Sequence, residues 1–477
     1  MLWRLVVALA LAGTALPSGQ TPRRDVSLII TNAIVVTMNP DGRVFSPGAV
    51  AIDGRAIAGV GAPAAIDAQF AAGQTIDAGG DVVMPGLINT HTHAPMVLYR
   101  GLADDLALME WLQKYIFPAE AKTVSPEFVR AGTRLAVLEM IRSGTTTYAD
   151  MYYFEEEIAR ATKDAGIRGV LGQTIIQFPV PDAKTPSEGI ARATTFLREW
   201  ADDELIVPAI APHAMYTLDT STLKAIRAVA DRERAPVIIH LAETREEVRI
   251  AREKYRATPV QYLESIGFWG PRTIAAHAVR LTAADIRILA RRHVGVSHNP
   301  ESNMKLASGT APVLDLRKAA IPVGLGTDGA ASNNDLDMFE AMRQAAFLHK
   351  HATGDPRALP ASAVLQMATI EGARVLGMDR EIGSLEVGKR ADLLIVSMSS
   401  PRQTPLYDPI SHLVYTTRGD DVRSVVVNGR VVMRDRRVET LDERAVLGDA
   451  RAWADKVRAA VRATAPMREK AGASGSH

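Results

Sequence analysis

A His-x-His pair, His91-Thr92-His93, closes the apolar run Val82-Val83-Met84-Pro85-Gly86-Leu87-Ile88-Asn89. Side chains two apart on a strand point the same way, so both imidazoles leave one strand end together and can close on one ion. Two histidines do not complete a catalytic metal site, so other ligands must arrive from elsewhere in the chain. Three candidates hold the same kind of position: His240 ends Pro236-Val237-Ile238-Ile239, His277 ends Thr273-Ile274-Ala275-Ala276, and Asp328 follows Pro322-Val323-Gly324-Leu325-Gly326-Thr327. Any one of them alone reads as a packed loop residue. Together, at one kind of strand-to-loop junction, they read as a site. A (β/α)8 barrel is the architecture that turns the C-terminal ends of sequence-distant strands towards one another.

Through the middle of the chain, apolar runs alternate with amphipathic stretches, the order of parallel βα units. Strand ends fall near His91, Asp150, Gln173, His213, Glu243, His277, His298 and Asp328. One helix is marked at both ends: Ser125-Pro126 supplies an N-cap and a first-turn proline, and Ser143-Gly144 stops it. Outside this region the texture changes to short β runs with turns. Ala49 to Ile52 precedes Asp53-Gly54, Ala391 to Val396 reads as a strand, and Val425 to Val432 turns on Asn428-Gly429. The fold class is therefore α/β, a (β/α)8 TIM barrel over 86–384 beside a small β-sandwich built from 25–85 and 385–445. Residues 446–477 form a C-terminal helix and tail, with Arg451 to Arg462 helical and Ala471 to His477 disordered.

At 477 residues the chain exceeds what one compact core organises, which agrees with a barrel plus an attached module. Its 55 basic and 54 acidic residues leave a formal net charge of +1, so no overall field favours nucleic acid or an anionic membrane. The partner expected is a small molecule, and the sequence leaves the oligomeric state open. Cysteine is absent, which excludes disulfides, thiolate nucleophiles and Cys-based zinc sites, including the Pro-Cys-x-x-Cys site of base-editing deaminases. Met1-Leu2-Trp3-Arg4 and the apolar stretch to Leu16 resemble a secretory leader over 1–24, too short to span a membrane as a mature helix. Export or a periplasmic location is expected, and a cytoplasmic one if the start is mis-assigned.

Three neutral imidazoles and one carboxylate suit a borderline divalent ion with an open position for water: zinc, or iron, manganese or cobalt where these are available. Such an ion brings the pKa of bound water to about 7, which implies hydrolysis. Glu243, three residues after His240, is placed to shuttle a proton, although a carboxylate at a helix N-terminus needs no chemical role. Asp328 can ligate and also accept the nucleophile's proton. His277 either ligates or hydrogen-bonds the hydroxide. His213 is a substrate donor or a packed loop residue, and His298 lines the site or orients a neighbour. His293, His349, His351, His412 and His477 lie in helical or polar contexts and carry no assignment.

At these residues the chain resembles the amidohydrolase superfamily, in particular its 5-methylthioadenosine/S-adenosylhomocysteine deaminase and chlorohydrolase branch. The segments that carry the likeness are Pro85 to Met96, Arg100-Gly101-Leu102-Ala103-Asp104-Asp105-Leu106 through Met109-Glu110-Trp111-Leu112, Ser297-His298-Asn299-Pro300, and Gly326-Thr327-Asp328-Gly329 with Ser332-Asn333-Asn334. The resemblance implies one zinc on His91, His93, His240 and Asp328, with Glu243 and His277 in the hydrolytic step. It further implies Glu110 and His213 as substrate contacts, Glu110 accepting from ribose hydroxyls; spacing alone would make Glu110 an exposed helix carboxylate. The implied activity is deamination of an adenosine derivative to its inosine analogue. Two alternatives stand beside it: a guanine-like or triazine hydrolase on the same scaffold, and a non-catalytic exported barrel. Gly172-Gln173-Thr174 departs from relatives that carry an arginine near this strand end, which leaves the preferred 5′ group open. No lysine stands at the fourth strand end to bridge a second metal.

Overall fold

A computed structural model describes residues 22–462. The leader expected over 1–24 lies, apart from its last three positions, outside the described residues, as does the tail expected over 471–477. Among the described residues no helix is long and apolar enough to cross a membrane.

Eight parallel strands pair in chain order: β1 (Leu87–Thr92), β2 (Thr145–Tyr152), β3 (Arg168–Ile175), β4 (Ile206–Pro212), β5 (Val237–Leu241), β6 (Thr273–His277), β7 (Gly295–His298) and β8 (Val323–Leu325). Their residues are almost all buried because helices cover the outer face and side chains fill the interior, which is why the strands read as continuous apolar runs. Between β8 and β1 the barrel closes through side chains. Thr90 Oγ1 donates to the Leu325 carbonyl at 2.9 Å, and Asn89 Nδ2 donates to Thr327 Oγ1 at 2.7 Å. The Asp328 N–H then reaches the His91 carbonyl at 2.9 Å, drawing the two candidate ligands together. Gly326 permits this approach, since a Cβ there would sit 2.4 Å from Asn299 Oδ1 and 2.9 Å from the His91 nitrogen.

The helix expected after Ser125 runs from Pro126 to Ser143, with the Ser125 hydroxyl accepting from the Phe128 N–H and Gly144 ending it at φ 90°. The C-terminal helix is longer than expected, Glu443–Arg462, and packs on the helix Pro126–Ser143.

Strands from both chain ends do combine, but as one nine-stranded mixed sheet. The physical reason is the length of the strand Arg24–Val36. Its one edge pairs with Val44–Asp53, while the other carries Phe70–Asp77 along its first part and Val82–Pro85 along its last. The sheet forks there, and Leu28, Ile30, Val50, Leu393 and Val426 fill the space enclosed. Val82–Pro85 pairs with Leu393–Val396, so residues just before β1 are zipped to residues far beyond β8. The hairpin at Asn428-Gly429 has both central residues at positive φ, 50° and 77°, as a tight two-residue turn requires.

A buried ion pair ties sheet to barrel. Arg168 Nη2, at the start of β3, lies 3.2 Å from Asp392 Oδ2, with both side chains almost fully buried. Asp392→Ala would strand a buried guanidinium, so unfolding free energy should fall by about 3–5 kcal/mol. Urea denaturation checks this; a loss below about 1 kcal/mol, the size of an exposed pair, would contradict it.

Candidate active site

His91 and His93 leave the end of β1 on one side, while Thr92 between them donates from Oγ1 to the Asp328 carbonyl at 2.9 Å. His93 Nδ1 is 2.7 Å from the Met151 carbonyl, and His240 Nδ1 is 2.8 Å from the His213 carbonyl. A carbonyl can only accept, so both Nδ1 atoms carry hydrogens and both Nε2 atoms present lone pairs. These two Nε2 atoms face each other at 3.3 Å, and Asp328 Oδ1 lies 3.3 Å from His93 Nε2 and 3.4 Å from His91 Nε2. His91 is fully buried, and neither of its ring nitrogens has a hydrogen-bond partner. Converging lone pairs and a carboxylate oxygen, with an orphaned buried imidazole beside them, fit a divalent cation at their centre. Potential ligand atoms of His91, His93 and His240, and those of His91, His277 and Asp328, lie within 4.8 Å of one another in each trio.

Protonation states match. Burial pushes His91 down to about 4 and holds His93 and His240 below the ordinary imidazole value, leaving neutral ligands. Burial alone would raise Asp328, but His91, His277 and His93 hold it well below the usual carboxylate range. Its Oδ2 accepts from Ser302 Oγ at 2.7 Å and Ser332 Oγ at 2.8 Å, which fixes the carboxylate plane. His277 and Asp328 both adopt left-handed backbone conformations, φ 71° and 63°, a strain that folds concentrate at functional sites.

His277 Nδ1 lies 3.0 Å from Asn303 Oδ1, which turns Nε2 towards the centre. Glu243 is buried, with Oε2 at 3.9 Å from His277 Nε2 and Oε1 without a partner. Burial raises its carboxyl above the ordinary value, against the pull of His277. The loop beneath it is fixed by Glu247, whose carboxylate accepts from the N–H groups of Ala242 and Glu243. His213 points its ring into the same space and holds Nδ1 at 3.1 Å from Thr217 Oγ1.

His93, His213, His240, Glu243, His277 and Asp328 line the floor of a cavity of about 60 Å³. The opposite wall comes from the helical segment after β1 and was not foreseen: Trp111, Leu112, Ile116 and Phe117, with Tyr152 and Tyr153 from the end of β2. Their apolar faces suit a flat ring. Glu120 was also missed. It is buried in that wall, accepts from the Tyr152 hydroxyl at 2.7 Å, and is pushed up to about 7 by burial.

Glu110 lies elsewhere than a contact in this cavity would require. It is exposed, takes a hydrogen bond from Lys114 Nζ at 2.9 Å one turn on, and lines a groove outside the cavity; its neighbour Trp111 takes the inward position. Gln173 is tied to Asp182 Oδ2 at 2.8 Å and is absent from the cavity lining. His298 turns away from the centre. Ser297 and Asn299 hydrogen-bond inside the barrel, so strand alternation sends His298 outwards, where its Nε2 meets His349 Nε2 at 3.2 Å. His349 is buried on the same helix face as Met342, Ala345 and Ala346, a spacing that could have revealed it.

Burial pushes His349 from 6.5 down to about 4 and His298 well below its ordinary value. Depressed imidazoles gain protons on unfolding, so their contribution is present above about 6.5 and is lost as pH falls towards 4. His349→Leu should flatten the dependence of unfolding free energy on pH across that window. An unchanged slope in urea titrations would refute it.

The profile of the amidohydrolase family matches residues 82–432. The 5-methylthioadenosine/S-adenosylhomocysteine deaminase of Syntrophobacter fumaroxidans is 52% identical over 415 residues, 87% of this chain and 94% of that protein. The 5'-deoxyadenosine deaminase of Methanosarcina mazei is 45% identical over 436 residues, 91% of this chain and 99% of that protein. Among solved structures, an adenosine deaminase from Xanthomonas campestris with bound zinc superposes with a TM-score of 0.90 at 41% identity, covering 92% of this chain and 100% of that one. The barrel, its histidine and aspartate cluster and these likenesses agree: the chain belongs to the amidohydrolase family, as a hydrolase acting on carbon–nitrogen bonds.

Proposed function

We propose that the protein is a zinc-dependent aminohydrolase that replaces the 6-amino group of an adenosine derivative with oxygen and releases ammonia. The observation that carries this reading is Glu243, a buried carboxyl with an unpartnered oxygen, set in the cavity beside the cluster of three histidines and Asp328. The names of the relatives, deaminases of 5-methylthioadenosine, S-adenosylhomocysteine and 5'-deoxyadenosine, support the substrate class.

His91, His93, His240 and Asp328 would hold the ion. When bound, it supplies Lewis acidity and a water acidic enough to react at neutral pH. Asp328 would accept a proton from the attacking water, while His277 Nε2 would hydrogen-bond that water and orient it towards C6. Glu243 delivers a proton to the ring nitrogen next to C6, which localises the accepted electron pair there. The C6–N bond then breaks: the hydroxyl proton returns to Glu243 as the C6 carbonyl forms, and the amino group leaves as ammonia with the proton carried by Asp328. Trp111, Phe117 and Tyr152 exclude water and hold the purine flat.

Protein with quantified zinc should release ammonia from 5-methylthioadenosine, adenosylhomocysteine, adenosine or 5′-deoxyadenosine, lose that activity to a chelator, and regain it with zinc. Silence on all four despite stoichiometric metal would sink the reading. Turnover of guanine or a chlorinated triazine in their place would redirect it.

A further inference from the structure

At about 60 Å³ the cavity falls far below the about 300–1,000 Å³ typical of sites that enclose small organic molecules. A substrate enters only when a wall moves. Leu108 and Leu306 mark the place, because both are nearly buried and both line the cavity on one side and a groove of about 710 Å³ on the other. They stand as a partition between the two spaces. Leu306 follows the short helix Pro300–Lys305, while Leu108 belongs to the segment that carries Trp111 and Phe117 over the floor.

That segment is built to swing. Residues 101–107 are exposed or half-buried, Gly101 and Asp105 hold left-handed φ values of 70° and 62°, and the turn Leu112–Ile116 is π-helical, a form frequent at functional sites. Beyond that turn Phe117 is anchored edge-on against Phe178, with ring centres 5.4 Å apart. The other end is tied down from across the partition: Lys305 Nζ donates to Asp104 Oδ1 at 2.5 Å, and also to Asn334 Oδ1. Asn334 stands two residues after Ser332, whose hydroxyl donates to Asp328 Oδ2 at 2.8 Å.

We propose that Lys305 is a positioning residue: its ammonium latches the segment 101–111 shut over the cavity and couples that closure to the loop that orients Asp328. Opening carries Leu108 away from Leu306, joins groove to cavity and admits the substrate. Closing brings Trp111 back over the floor and shuts water out. The side chains of Asp104 and Lys305 keep 37% and 22% of their surface exposed, and an ion pair so placed is weak enough to break in each turnover. Any substrate larger than the cavity needs this motion, and only the ammonia assay rests on the deaminase reading.

Hydrogen exchange reads the latch directly. In zinc-loaded protein, Lys305→Met and Asp104→Asn should each speed exchange of the amides of 102–112 by about two- to fivefold, the strength of an exposed pair, with the double variant adding little and Lys305→Arg restoring protection. Added salt should speed the same amides in the parent but not in Lys305→Met. Because the chain has no cysteine, Asp104→Cys combined with Lys305→Cys can be joined by a short bis-methanethiosulfonate bridge that locks the wall. The bridged protein should release ammonia from 5-methylthioadenosine at least about tenfold more slowly than either single cysteine variant treated alike, and recover when a phosphine cuts the bridge. Unchanged exchange in both single variants, or exchange raised evenly along the chain, would overturn the latch. A bridged enzyme as fast as its controls would overturn the moving wall. Silence of the parent on every nucleoside, with the exchange pattern as expected, would remove the deaminase reading and leave the latch standing.

Discussion

Glu243→Gln should lower kcat for nucleoside deamination by about 10²–10⁴-fold, the range that positioned proton transfer contributes, while zinc content stays stoichiometric. The carboxyl is buried, its Oε1 has no partner, and its N–H is held by Glu247, so the side chain is fixed and aimed into the cavity rather than bonded to structure. Glutamine keeps the volume and can still donate a hydrogen bond from its amide, but it cannot hand over a proton. The chemical step should therefore suffer far more than KM. Steady-state kinetics on protein of measured metal content decides the matter, and a loss below about tenfold in kcat would remove Glu243 from the proton path.

Asp328→Asn is expected to act earlier, on assembly of the centre. Asp328 Oδ1 lies 3.3 Å from His93 Nε2 and 3.4 Å from His91 Nε2, and it is the carboxylate that balances the cation's charge among neutral imidazoles. The amide removes that charge and sets an NH₂ against Ser302, Ser332 or the Gly329 N–H, all of which now donate to the carboxylate. Several kcal/mol of charge stabilisation correspond to a fall in kcat/KM of about 10³-fold or more, with metal affinity dropping alongside. Elemental analysis after dialysis and ammonia release under saturating zinc separate the two effects. Near-normal turnover at saturating zinc would show that the carboxylate serves binding alone.

The top of the barrel was legible because each strand is covered on both faces and ends in a change of chemistry. Runs such as Pro236 to Ile239 and Thr273 to Ala276 stop at histidines, and strand geometry gathers those histidines whatever their separation in sequence. His298 shows the limit of that reasoning. It too ends an apolar run, yet alternation in β7 gives the inward face to Ser297, and burial against His349 takes the rest. The apolar wall was hidden for another reason, since Trp111 to Phe117 belong to a loop insertion with its own helical turns, and no barrel periodicity governs them. The tie between Arg168 and Asp392 leaves no local pattern, because each half looks like an ordinary surface charge until the sheet folds over it. The sheet itself was read as a module of both ends, but its fork depends on one long strand serving two partners along one edge, which no short window reveals.

The zipper between Val82–Pro85 and Leu393–Val396 also bears on how a ribosome must deliver this molecule. Strand Val82–Pro85 leaves the tunnel before any of the barrel does, and its partner leaves after all eight barrel strands are out. Throughout that interval Met84 and its neighbours present an unpaired apolar edge of the kind that invites pairing with other chains. One strand is close at hand: Arg24–Val36 pairs with this edge at Val82 and Val83 and shields one side of it from the start. The other side waits for the end of translation, so the vulnerable species of this protein is the nascent chain, and holding chaperones would do most for it then.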